Sequence, residues 1–497
     1  MPSGLILAID QGTSNTKALL VGREGSPVFR ATSPLTLVHS NAGFVEQNPL
    51  RLWDSVLQAV AACTAFASQT DAAIEAIAIS NQRETAVAWN AETGRPIANA
   101  ISWQCGRAAG ICNRLAPIGT EFRAKTGLPL APLVSAGKWA WLLENDPAIA
   151  SLADKGKMRF GTVDSWLLHQ FTRGTLHATD LSNASRTGLL NLDSQQWDSD
   201  LLKIFGIPLD AMPALHSSSS FFASSSAIPD LEGVPILAAI GDSHAAMFGH
   251  GDYSAGSVKA TYGTGSSLMA LTPSLPADTP TLARTIAWSI AGKTQFALEG
   301  NIAMTGSGVQ WVGEFLGLKN PAADVAELAR TVTGADGVYF VPAMVGLGAP
   351  YWDAEARGTI TGLCRSHTSA HLARASVDAI AYQLADVFFA IEREAGLVGR
   401  ELNADGGATR NATLMQFQSD ILGRSVRRSE NEELSALGAA WLAGLALGWW
   451  KSLRDIESLP HTAETFAPAM EREERDRLYR GWTQAVRRAR LSAEAEV

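Results

Sequence analysis

The sequence predicts an α/β chain of two similar halves, each a β-sheet flanked by helices. Three observations predict it. Short apolar strand patterns alternate with helical periods along the whole chain. One strand, Gly-Thr turn, strand pattern occurs twice, at LAIDQGTSNTKALLV (7–21) and VKATYGTGSSLMALT (258–272), with the two Gly-Thr pairs 251 residues apart. The 497 residues exceed one ordinary core, which leaves three domains or two large ones, and the repeat fits two similar domains. Two unrelated hairpins in which glycine supplies the turn would leave the same trace.

LILAID (5–10), TKALLVG (16–22), AIEAIAIS (73–80) and TAVAWN (85–90) read as strands. PLRLWDSVLQAVAACTAFA (49–67) sets Leu52, Val56, Val60 and Cys63 on one helical stripe, and HLARASVDAIAYQLADVFFAIERE (371–394) does so with Val377, Ile380, Leu384, Val387 and Ile391. The Ser-rich HSSSSFFASSS (216–226) reads as a surface loop, and the charged, Ala-rich tail 472–496 as a solvated helix. Leu434 to Trp450 carries no charge but falls short of a membrane span. Its Gly438, Gly444 and Gly448 suit close packing, so a buried helix is expected.

Hydrophobic residues at 46%, charged residues at 18% and a net charge of −9 describe a globular acidic protein. That charge argues against a sequence-independent grip on nucleic-acid phosphates and for small-molecule partners. Cys63, Cys105, Cys112 and Cys364 are too sparse for a disulfide scaffold or a paired-cysteine metal site, which suggests a reducing, cytoplasmic compartment. The opening MPSGLILAID has no basic segment and its apolar run stops at Asp10, so it does not read as a secretory signal.

Chemistry concentrates in a few short segments. In Asp10-Gln11-Gly12-Thr13-Ser14-Asn15-Thr16-Lys17, Gly12 permits close backbone approach, and Thr13, Ser14 and Lys17 offer donors to phosphate oxygens. Asp10 beside such a site could hold Mg²⁺ through water. Tyr262-Gly263-Thr264-Gly265-Ser266 offers the same chemistry in the second half, although tight turns with satisfied hydroxyls look alike. In Ala404-Asp405-Gly406-Gly407-Ala408-Thr409-Arg410-Asn411, glycines open a helix N-terminus to an anion or a flat nucleoside, or simply make an αβ turn. AWSIAGKT (287–294) approaches a phosphate-loop pattern but is set aside, because Gln295-Phe296-Ala297-Leu298 continues as a strand and makes AGKT a hairpin turn.

Asp242 follows the apolar strand VPILAAIG (234–241) and starts a helix, which places it on the cleft side of an α/β sheet as a candidate base, or as a helix cap. Arg83-Glu84, after the strand AIAISNQ, is a pair able to hold hydroxyls, or a solvated ion pair. A hydrolase built on Ser243-His244 is set aside, since no nucleophile elbow surrounds Ser243.

Together the motifs AIDQGTSNTK (8–17), SNQRETAVAWNAETGRPIANAISWQC (80–105), FGTVDSWLLHQFT (160–172), TDLSNASRTGLLN (179–191), IGDSHAAMFG (240–249), TYGTGS (261–266), ALEGNIAMTGSGVQW (297–311), VPAMVGLGAPYWDAEARGTITGL (341–363) and DGGATRNATLMQFQSDILG (405–423) resemble the FGGY carbohydrate kinases, especially members that phosphorylate glycerol. The resemblance implies two actin-like, ribonuclease H-like domains around a central cleft, with ATP and Mg²⁺ as cofactors and a small polyol or sugar as partner. A homodimer or tetramer is left open.

By resemblance, the first half, 1–249, holds the substrate pocket, first phosphate loop and base, and the second, 250–497, binds nucleotide. Asp242 is then the base, and Arg83, Glu84, Trp103, Leu133 and Ser243 join it in the pocket. Thr13, Ser14, Asn15, Lys17, Thr264, Gly306, Gln310, Gly407 and Asn411 are implied for nucleotide, and Asp10 with Asp242 for the metal. Lys17 stands where an Arg is commoner. Three positions depart from the glycerol pattern: Leu133 replaces a Tyr, Ser243 a Gln, and Ser267 an aromatic. Lost hydroxyl and amide partners with added room would suit a longer polyol or a ketose. A silent actin-like sugar or nucleotide binder is the competing class, and the acid at 242 beside intact phosphate turns argues against it.

Overall fold

The computed structural model describes residues 4–40, 43–277 and 279–491. It divides into two compact units: Met1–Tyr253 with Arg284–Phe296 and Glu433–Pro460, and Ser254–Ala283 with Ala297–Glu432 and His461–Val497.

In the first unit the strands Ser219–Ser224, Pro235–Gly241, Ala73–Asn81, Gly4–Gln11, Asn15–Val21 and Pro27–Pro34 lie side by side in that order. Pro235–Gly241, Ala73–Asn81 and Gly4–Gln11 are mutually parallel. Their apolar runs are buried almost throughout, as central parallel strands require. Register pairs Asp10 with Ser80, Gln11 with Asn81, and Asn81 with Gly241. Three loops therefore leave the sheet at one edge, the carboxyl ends where α/β sheets place ligands.

The helix Pro49–Gln69 packs on this sheet through Leu52, Val56, Val60 and Cys63, the expected stripe. Pro49 opens it and Asn48 caps it, accepting from the amides of Leu50 and Arg51. The apolar helix Leu434–Leu447 packs on the same sheet and on the helix Asp242–Gly249. A Cβ at Gly438 would stand 2.0 Å from the Ala245 carbonyl oxygen, so only glycine allows this approach.

The Ser-rich segment is not a surface loop. Ser219–Ser224 is a strand paired with Pro235–Gly241, and its hydroxyl-rich start is buried because each hydroxyl finds a partner: Ser218 Oγ donates to Asp180 at 2.6 Å and Ser219 Oγ to the Leu442 carbonyl at 2.8 Å. AGKT is a hairpin turn, with Ala291 and Gly292 at positive φ between the strands Ala283–Ile290 and Lys293–Ile302.

The second unit repeats the local plan of the first. Val258–Tyr262 and Ser266–Thr272 form an antiparallel hairpin whose first strand runs parallel to Leu402–Asp405, as Gly4–Gln11 does to Ala73–Asn81 in the first unit. Val426–Ser429 adds in parallel, and Ala463–Phe466 in antiparallel. The buried helix Ser369–Ala395 forms the centre of this core.

The tail is a helix over Arg472–Ala489, but it is docked rather than merely solvated. Trp482, Ala485, Val486 and Ala489 bury one stripe, and Asp386 accepts from the Tyr479 hydroxyl at 2.6 Å and from Trp482 Nε1 at 2.7 Å. Residues 492–496 of that expected helix lie outside the described residues. No helix among the described residues is long and apolar enough to cross a membrane.

Candidate active site

In the first unit the three strand ends deliver Asp10, the Gln82-Arg83-Glu84 loop and Asp242. Asp10 is half-buried and its Oδ1 accepts from Ser80 Oγ at 2.9 Å. Burial pushes its carboxyl up to about 6, with the Asp242 charge adding to the rise and Lys17 and Ser80 opposing it. Asp242 begins the helix Asp242–Gly249, accepts from the Ser243 amide at 2.6 Å, and meets Arg83 Nε at 3.4 Å. The Arg83 guanidinium and the helix N-terminus thus both lie beside this carboxylate. His244 turns to Thr285 Oγ1 at 3.1 Å, away from any hydrolase arrangement with its neighbour Ser243.

Glutamine amides tie the loops together. Gln82 Nε2 donates to Gln11 Oε1 at 3.0 Å and Gln47 Oε1 at 2.9 Å, and Gln47 Nε2 to the Thr13 carbonyl at 2.8 Å. Trp103 Nε1 donates to Thr13 Oγ1 at 2.9 Å, so the turn after Asp10 and Trp103 touch. In that turn Gly12 N donates to the Asn15 carbonyl at 2.9 Å, leaving Ser14 exposed and Asn15 half-buried. Leu133 and Ser243 are both half-buried.

Lys17 is committed elsewhere, since its Nζ lies 2.7 Å from Glu433 Oε2, while Arg30 holds Oε1 of the same carboxylate at 3.0 Å. Glu433 had escaped notice because nothing but an acid ahead of an apolar helix marked it. Arg186 lay inside the TDLSNASRTGLLN motif without a role; its Nε donates to Glu84 Oε1 at 2.7 Å, both groups buried.

In the second unit Thr264 and its neighbours form an exposed turn tied to the start of the helix Gly306–Phe315. Thr264 O accepts from the amides of Thr305 at 3.1 Å and Ser307 at 3.0 Å, and Gly263 O from Gly306 N at 3.1 Å. Gly406, at φ +98, lies against Tyr262, where a Cβ would come within 2.4 Å of a backbone oxygen. Gly407 next to it has open space around its Cα. Asn411 spends its Oδ1 capping the helix Ala412–Leu422, and Gln310 Nε2 donates to Glu314 at 2.8 Å. Thr264, Gly407 and Asn411 thus lie in the turns that follow the strand ends Tyr262 and Asp405, Gly306 begins its helix against Gly263, and Gln310 lies one turn further into that helix.

The FGGY carbohydrate kinase N-terminal domain matches residues 5–249, and the C-terminal domain of the same family matches 258–447. The chain belongs to the FGGY carbohydrate kinases. It is an ATP-dependent carbohydrate kinase of that family, with the family's two-domain α/β fold. This FGGY kinase is 44% identical, over 99% of both chains, to glycerol kinases of Burkholderia ambifaria and Chromobacterium violaceum. A crystal structure of Plasmodium falciparum glycerol kinase with ADP is similar over 99% of both chains, at 31% identity and a TM-score of 0.93. A xylulose kinase from Rhodospirillum rubrum is similar at 26% identity and a TM-score of 0.85, over 97% of this chain and 98% of that one.

An FGGY kinase's Mg²⁺ fits the residues present. Asp10 and Asp242 are close enough for one charge to raise the other's pKa, and only one oxygen of Asp10 is taken by Ser80. Among the described residues no three His, Cys, Asp or Glu side chains are grouped so as to hold a metal ion by themselves.

Proposed function

We propose that this kinase transfers the γ-phosphoryl group of ATP to a terminal hydroxyl of a small polyol of the glycerol type. The observation that carries the reading is the Arg83 and Asp242 pair, 3.4 Å apart at the ends of neighbouring parallel strands. Asp242 takes the hydroxyl proton as that oxygen attacks phosphorus, while Arg83, Glu84 and Trp103 orient the polyol and Leu133 and Ser243 line its pocket. Thr13, Ser14, Asn15 and Lys17 face the phosphates from the first half, 1–249, with Lys17 leaving Glu433 to do so. Thr264, Gly306, Gln310, Gly407 and Asn411 bind nucleotide in the second, 250–497. Asp10 and Asp242 would hold Mg²⁺ through water, and the ion would offset charge on the phosphates.

A longer polyol or a ketose is the second reading, favoured by the short side chains of Leu133, Ser243 and Ser267. Initial rates of ADP release across glycerol, tetritols, pentitols and ketoses test both. The highest kcat/KM on glycerol upholds the first reading; a higher value on a longer substrate upholds the second. No release with any of them rejects both.

A further inference from the structure

The geometry points to Lys138 as a positioning residue that, with Ser135, locks the backbone of Glu84 against that of Leu133 and so sets the grip on the polyol. The inference rests on the reading of Glu84 and Leu133 as pocket residues.

Glu84 occupies a conformation that a side chain resists. Its φ is +60, in the left-handed region, and the Thr85 amide donates across it to the Arg83 carbonyl at 2.8 Å, closing a tight turn. Such a turn persists only where its surroundings over-determine it. The helix Ser135–Asn145 supplies those surroundings: Ser135 Oγ donates to the Glu84 carbonyl at 3.0 Å and Lys138 Nζ to the same oxygen at 3.1 Å. Lys138 Nζ also donates to the Leu133 carbonyl. One ammonium therefore bridges the main chain of two pocket segments that are 49 residues apart.

The bridge explains an otherwise costly group. Ser135 and Lys138 are completely buried, and burial pulls the Lys138 pKa down to about 8 against the opposing pull of the Glu84 charge. An apolar side chain of similar length would pack the same helix at lower desolvation cost. What lysine adds is two charge-assisted hydrogen bonds, one to the Glu84 carbonyl and one to the Leu133 carbonyl. Glu84 is thus held at both ends, its carboxylate by Arg186 and its carbonyl by Ser135 and Lys138.

The test compares wild type, Lys138→Met and Ser135→Ala in the full chain, reading KM for the preferred polyol, KM for ATP, and amide hydrogen exchange at Thr85. In Lys138→Met the polyol KM should rise about tenfold or more, with the ATP KM within about twofold, because only the substrate grip is displaced. The Thr85 amide should exchange about tenfold faster as the turn loosens. Ser135→Ala should shift both readouts the same way by about threefold, and it decides the matter if Lys138→Met does not fold. A folded variant with unchanged polyol KM overturns the proposal, as does a parallel rise of both KM values. If wild type phosphorylates no polyol, the substrate reading fails, and Thr85 exchange alone judges the clamp: unchanged rates overturn it and faster rates uphold it.

Discussion

At the scale of single residues, the site is a set of charges placed where their neighbours decide their roles. Asp242 touches Arg83 and the amide of Ser243, so Asp242→Asn preserves shape while removing the proposed proton acceptor. The expected loss in kcat is about 10²-fold to 10⁴-fold, with nucleotide affinity and melting temperature nearly unchanged; steady-state kinetics and a nucleotide titration check it. Asp10, half-buried nearby, carries a pKa raised to about 6, by loss of solvent first and by the Asp242 charge second. Of the residues named from sequence, Asp242, Arg83 and Glu84 stand at the strand ends that the apolar runs before them predict, although a helix cap or a solvated ion pair leaves the same trace in a sequence. Glu433, Arg186 and Lys138 were not, because each acquires its role from a partner far away in the chain: Arg30 and Glu433 are 403 positions apart.

At the scale of elements, the site depends on helices packed close to strand ends. The helix Leu434–Leu447 approaches the helix Asp242–Gly249 so closely that a Cβ at Gly438 would meet the Ala245 carbonyl carbon and oxygen at 2.9 and 2.0 Å. Gly438→Ala gains about 1 kcal/mol of helix propensity but forces backbone apart, an overpacking cost of about 1–3 kcal/mol or more. Backbone cannot swing aside as a side chain can, so the clash should win. The variant should unfold at lower urea concentration with an unchanged m-value, and kcat should fall because the displaced helix begins at Asp242. Two element-level expectations changed on meeting the structure. The Ser-rich 216–226 segment is partly strand, with buried acceptors satisfying the Ser218 and Ser219 hydroxyls, and the tail helix is docked, with Asp386 accepting from Tyr479 and Trp482.

At the scale of the whole molecule, each compact unit is assembled from three stretches of chain. The first unit takes the helix Leu434–Leu447 and the strand Ala283–Ile290 from beyond its main stretch, and that helix covers strands of the parallel sheet. A fragment of residues 1–253 would expose that apolar surface to water, a penalty of about 25 cal/mol for each Å² left uncovered. It should show no cooperative thermal transition by circular dichroism, whereas the full chain should; a sharp melt of the fragment would show that the unit does not need its returning helix. The sequence by itself determined the α/β class, the two matching hairpins, the amphipathic helices, the hairpin at AGKT and the position of Asp242 at a strand end. These follow from short-range periodicity and turn chemistry, which are properties of neighbours along the chain. Only the tertiary structure decided that Lys17 pairs with Glu433, that Glu84 sits at positive φ under Ser135 and Lys138, and that Gly438 must have no side chain. Burial, ion pairing and backbone approach depend on which distant segments meet, and local periodicity carries no information about that meeting.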